Sequence, residues 1–299
     1  ANSISIEQLV LGRILQTFSG SAGITIARSI ALDSGTRDQA ASTMAYIFLP
    51  ITLVPLIASP LSGAITDMFN WRWIFHFTAV LGLLGFLFVI FLVSDTSRVA
   101  TQPRRKLTDI KPLWYSQRFK GYCGHHSFVV VALQVINAST PIIIILQLGF
   151  SATEYGIFAS IPALGSITGA IAGGKLATKL GGDKLISAGS LIALLSYIFI
   201  VAMATMGQLS PWTIFLPMIL ISFSNAMILP SSSAGALEGL TGLGGFGAGL
   251  MGMIQWLSAG IMVQFAAFWV ESSAITVFLL SLCVYLCGIF SFYYARIER

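Results

Sequence analysis

The sequence predicts an all-α polytopic membrane protein with about nine transmembrane helices, and two observations carry that prediction. Apolar residues fill 56% of the 299 positions and charged residues only 9%, whereas a soluble domain carries roughly 25% charged residues. The apolar residues are also gathered into runs long enough for a helix to cross a bilayer core, which takes about 20 residues. Sixteen basic and eleven acidic residues cannot solvate the surface of a water-soluble fold of this length. Inside lipid the backbone polar groups must be satisfied within the protein, so only helices or a closed barrel can span, and runs this long exclude a barrel.

The runs fall at 6–31, 42–66, 73–94, 122–148, 152–177, 183–206, 211–234, 243–269 and 273–295. Arg13 lies about seven positions inside the first run, where a charge costs roughly 2.5 to 3.5 kcal/mol on insertion scales. Gln16 and Gly20 share its helix face and form a polar stripe aimed at the protein interior or a cavity. The alternative is that Arg13 snorkels to the interface beside Glu7. In the fourth run Gln134 and Asn137 share a face, and Asn225 and Gln255 sit near the middle of the seventh and eighth runs. These amides either bind a substrate or hold helices together; with Gln16 they are the cavity candidates, and Phe223 is an apolar wall. Gly165, Gly169 and Gly173 recur every four residues in the fifth run, and Gly245 and Gly249 in the eighth, giving smooth faces for close helix packing, with a dimer seam as the alternative. Pro141, Pro162 and Pro230 each remove a helix hydrogen bond and are expected kinks.

Lys and Arg fall on one side of this pattern. Fourteen of the 16 occupy alternate breaks or the C-terminal tail, leaving Arg13 and Arg72, so the positive-inside rule places the C-terminus in the cytoplasm. Gly235–Gly242 departs from the rule, with Glu238 as its only charge, and must rely on its neighbours. Residues 95–121 are the longest polar stretch and divide the chain into 1–94 with three helices, a cytoplasmic linker, and 122–299 with six.

Several signals point elsewhere and are set aside. The net charge of +5 raises nucleic acid, but the basic residues form no stripe interleaved with aromatics, so no nucleic-acid partner is expected. Cys123, Cys283 and Cys287 match no metal or disulfide spacing and read as packing residues. Neither a metal nor a cofactor is expected. Gly242-x-Gly244-x2-Gly247 copies a dinucleotide fingerprint without the strand that must precede it. His125 and His126 are adjacent, point about 100° apart on a helix and read as a solvated helix end. Ala1–Glu7 lacks a Met start and a basic segment, so no signal peptide is visible.

Leu9-x3-Arg13-x2-Gln16 resembles the fourth-helix motif of drug:proton antiporters of the major facilitator superfamily. Arg28-x4-Asp33, Pro50, Pro55, Pro60-x2-Gly63 and Trp71-Arg72-x2-Phe75 are similar to its bicyclomycin/chloramphenicol-resistance subfamily, and Gly174-x3-Thr178-Lys179-x-Gly181 resembles its loop motif between the eighth and ninth helices. The family has two six-helix halves built from three-helix repeats. Three helices before the linker and six after it would then be the fourth to twelfth of twelve, in a chain truncated at its N-terminus. A shift of 205 residues places Phe18-Ser19-Gly20 over Phe223-Ser224-Asn225 and Asp33 over Glu238, as an internal repeat requires.

The resemblance implies a secondary active transporter in the cell's inner membrane, exporting small hydrophobic or drug-like molecules against protons by alternating access. It gives Arg13 the proton-coupling role and Arg28 and Asp33 a cytoplasmic gating role. The expected partners are a small-molecule substrate, protons and lipid, for a monomer. An uptake permease for a polar metabolite is the alternative. A polytopic membrane enzyme is more distant, because it would need His, Asp or Glu clustered near one membrane face, and the sequence has no such cluster.

Overall fold

The computed structural model describes residues 2–33, 37–92, 113, 115–238, 244–271 and 273–296, with the side chains of 18, 21–33, 37–52, 92, 178, 244 and 245 outside that description. The described backbone is helical almost throughout and contains no strand. Its helices are α1 (Ile6–Asp33), α2 (Arg37–Met68), α3 (Arg72–Leu92), α4 (Gln117–Pro141), α5 (Ala152–Ser160), α6 (Pro162–Leu180), α7 (Gly182–Thr205), α8 (Pro211–Leu237), α9 (Gly244–Val270) and α10 (Ala274–Tyr294). A π-helical turn, Ile142–Gln147, extends α4. Each apolar run corresponds to one of these helices or to one pair, α5 with α6. Among the described residues, seven stretches from Arg72–Phe91 to Ala274–Tyr294 are long and apolar enough to cross a membrane, and Leu53–Met68 of α2 is apolar but shorter.

Local chemistry sets the helix ends. The Ser116 hydroxyl accepts the Phe119 N–H at 3.1 Å and starts α4 at Gln117, ahead of the apolar run, because a capped first turn needs no lipid-facing residues. Ser151 and Glu154 cap α5 reciprocally, as Ser210 and Thr213 cap α8. Gly181 alone separates α6 from α7 at φ +79°, a backbone region where glycine avoids the clash of a Cβ.

The prolines act in different ways. Pro141 lies at the junction of α4 and the π-turn, and Pro162 begins α6 directly after the break at Ile161. Pro230 lies inside α8 with Pro217, and the helix runs on past both.

The chain divides into two compact units, Ala1–Arg104 and Arg105–Arg299. In the first, α1 packs on α2 and α2 on α3, while Val80, Leu84, Phe88 and other large apolar side chains of α3 face outward. A helix apolar on its outer faces needs lipid or further apolar helices around it. In the second, α8 lies against α4, α6 and α7, and α4 also carries α9 and α10. Tyr122, Tyr197, Tyr285, Phe215, Phe278 and Phe292 fill its core. Cys123 is buried as expected, whereas Cys283 and Cys287 are exposed on α10; an apolar thiol on that outer face has lipid as its solvent and needs no packing.

The glycine ladder of α6 is a close helix contact. Gly165, Gly169 and Gly173 meet the backbone of Ile219, Phe223 and Met227 on α8, so tight packing along this seam agrees with the sequence reading. Gly249 has nothing within 4 Å of where its Cβ would stand, and Gly245 lies outside the described side chains.

Candidate functional site

In the first unit Arg13 and Gln16 are one turn apart on α1, and Arg13 Nη1 donates to Gln16 Oε1 at 2.8 Å. The guanidinium lies 5.7 Å from the centroid of Phe75 on α3, within reach of a cation–π attraction. Both residues line a groove of about 710 Å³ between α1 and α3, with Phe75 and Thr78 on the opposite wall. Among the described residues no carboxylate pairs with Arg13, so Glu7 is not the partner that snorkelling required. The side chains of Arg28 and Asp33 lie outside the described residues.

In the second unit the amides of α4 stand where the helix is only partly covered. Asn137 is exposed, Gln134 half-buried, and Asn137 Nδ2 donates to Gln134 Oε1 at 3.3 Å. The same face continues back to His126, whose Nε2 is 3.0 Å from Gln255 Oε1 on α9 and whose Nδ1 is 3.2 Å from Ser233 Oγ on α8. Gln255 therefore joins α9 to α4 through a histidine. Phe223 is half-buried, with its main chain against Gly169. Asn225 is 3% exposed, and its amide atoms have no hydrogen-bond partner among the described residues.

The histidine pair corrects the expectation of a solvated helix end. His125 is fully buried, its Nδ1 2.5 Å from Ser232 Oγ and its Nε2 3.2 Å from Ser190 Oγ. Serines from α7 and α8 take the place of water, which lets an imidazole enter the core without an orphaned nitrogen. The signals in the sequence were the run Ser231-Ser232-Ser233 and the placing of His126 eight and eleven residues before Gln134 and Asn137, close to one helical face.

Charge at one end of this unit is also paired. Arg118 donates to Glu238 and, through Nε, to the Gly235 carbonyl at 3.0 Å, so the acid that follows α8 is paired with a basic residue of α4. The Tyr122 hydroxyl donates to Asp183, which lies 4.0 Å from Arg296.

The profile of the Major Facilitator Superfamily matches residues 2–263. The chain belongs to the Major Facilitator Superfamily. Members of this family are membrane transporters, not enzymes. The chain is 24% identical over 285 residues to the bicyclomycin resistance protein homolog of Haemophilus influenzae, covering 94% of this chain and 71% of that protein. It is also 24% identical to multidrug resistance protein D of Escherichia coli, over 88% of this chain and 66% of that one. A crystal structure of a bacterial homologue of the iron transporter ferroportin, in its inward-facing state, matches with TM-score 0.58 at 14% identity, over 89% of this chain and 66% of that chain. That likeness speaks for the major facilitator fold alone. Two of these relatives are named for bicyclomycin and multidrug resistance, in keeping with the resemblance noted in the sequence.

Proposed function

We propose that the chain belongs to a proton-coupled exporter of small hydrophobic molecules working by alternating access, with residues 95–121 and 296–299 in the cytoplasm. The observation that carries the reading is Arg13, held by Gln16 on the wall of a groove of about 710 Å³ with no carboxylate partner among the described residues. A cation exposed on the wall of that groove favours the charged form of any acid brought near it. Such an acid alternates between protonated and ionised as the cation is presented and withdrawn. The planar guanidinium suits a fixed, directional contact better than an ammonium would. The relatives named for bicyclomycin and multidrug resistance support a drug-like substrate, and within the second unit the uncharged amides Gln134, Asn137 and Gln255, with Phe223 as an apolar wall, suit a hydrophobic molecule carrying a few polar atoms, as Gln16 does within the first. Asn225 would join them in a state that opens α8.

The test is transport in inverted membrane vesicles expressing this chain within its complete coding frame. A lipophilic fluorescent drug should accumulate when a proton gradient is imposed and leak when it is collapsed. Accumulation that ignores the gradient, or uptake of polar metabolites instead, would overturn the reading. Cysteine labelling of residues 95–121 from outside intact cells would overturn the topology.

A further inference from the structure

We propose that His126 is a proton-binding site of the second unit, separate from the Arg13 groove. The geometry sets its neutral form. Gln255 Oε1 can only accept, so the hydrogen lies on Nε2, and Nδ1 is left to accept the hydroxyl of Ser233. A proton arriving at Nδ1 turns that bond round: Nδ1–H now donates, and Ser233 Oγ accepts. No hydrogen bond is lost, and the imidazole gains one positive charge, returned when the proton leaves. His125 lacks this freedom of access, because it is fully exhausted by Ser232 and Ser190 in the core, whereas His126 is half-buried on the face that carries Gln134 and Asn137.

The surrounding elements leave room for such a charge. From Phe246 to Val270, α9 has no titratable side chain. α8 has none either, and Glu238, the residue that follows it, is already paired with Arg118. Asp183 and Lys184 lie in the first turn of α7, where Asp183 meets Tyr122 and Arg296, and Tyr197 is buried in the core. Tyr285 of α10 donates to the Ser190 carbonyl. On α4 itself His125 is adjacent and Tyr122 one turn back, and α10 also carries Cys283, Cys287, Tyr293 and Tyr294; the hydrogen-bond partners of His126 are the neutral Gln255 and Ser233. Because its two partners sit on different helices, a change of proton changes how α4 holds α8 and α9.

The experiment is an equilibrium titration of the purified 299-residue chain in lipid, so its outcome is independent of drug efflux, and failure of either leaves the other standing. The chain has three histidines, so ¹⁵N-histidine labelling gives few ring signals, assigned with His126→Gln, His125→Gln and His76→Gln. As the pH is lowered through the range where histidine ordinarily changes charge and on below it, the His126 Nδ1 signal should move from the unprotonated to the protonated position. His125 should keep one unprotonated nitrogen throughout. His126→Gln should also take up one proton fewer per chain over that range. A His126 that stays neutral throughout, or a His126→Gln chain that binds as many protons as wild type, would overturn the proposal. If His126→Gln does not fold, the other two variants assign the wild-type signals by elimination.

Discussion

Adding one methyl group at Gly169 should separate two helices that otherwise touch along their backbones. A Cβ there would stand 2.7 Å from the Phe223 carbonyl carbon and 2.8 Å from its Cα, and closer still to its oxygen, where carbon contacts normally settle at about 3.5 to 4.0 Å. All three atoms are main chain, so no rotamer change relieves them. The seam must open by roughly 1 Å, at the cost of about 1 to 3 kcal/mol usual for overpacking. Gly174, five residues on along the same helix, has nothing within 4 Å, so Gly174→Ala should gain up to about 1 kcal/mol of helix propensity without a clash. Both variants share that gain, which leaves Gly169→Ala less stable than Gly174→Ala by about 1 to 3 kcal/mol. At roughly 2 to 4 °C per kcal/mol for a chain of this size, the midpoints should differ by several degrees. Cys123 is buried while Cys283 and Cys287 are exposed, so a thiol-reactive fluorophore on a Cys283→Ala, Cys287→Ala background reports unfolding directly. Equal midpoints for the two alanine variants, or a more stable Gly169→Ala, would refute the backbone-contact argument.

Three further outcomes are expected. Arg13→Lys keeps a charge without the planar fork and Arg13→Ala removes both, so each should lower substrate-induced proton release and gradient-driven efflux by at least tenfold in the complete protein while expression is kept; wild-type coupling in both would end the role assigned to Arg13. Glu238→Gln should shift the unfolding midpoint by no more than about 1 °C, because the Glu238 carboxylate is 65% exposed even though Arg118 is only 30% exposed, and a pair open to solvent on one side contributes little. Arg118→Ala should cost about 1 kcal/mol more, since it also frees the Gly235 carbonyl; equal melting of the two variants would contradict this. Asn225→Leu should raise stability by about 1 to 3 kcal/mol by removing an amide that is buried without a partner among the described residues, and a marked loss in thermal unfolding would show that the amide is satisfied in the protein.

The nine runs, the membrane setting and the family were legible without coordinates, because the cost of exposing a backbone polar group to lipid forces each span to be written as a continuous apolar segment. The glycine spacing on α6 was legible for a related reason: close helix approach demands small residues at a helical period, and Gly165, Gly169 and Gly173 supply them locally. Arg13 and Gln16 could be paired from the sequence since they are one turn apart on one helix. The histidines could not be placed in this way. Whether His125 meets water or Ser190 and Ser232, 65 and 107 residues away, depends on which helices pack around α4, and periodicity within one helix holds no information about its neighbours. The same holds for the contacts of Gln255 with His126 and of Glu238 with Arg118. A helix and its solvent are decided residue by residue along the chain, whereas the partner of a buried polar group is decided only when distant segments are brought together.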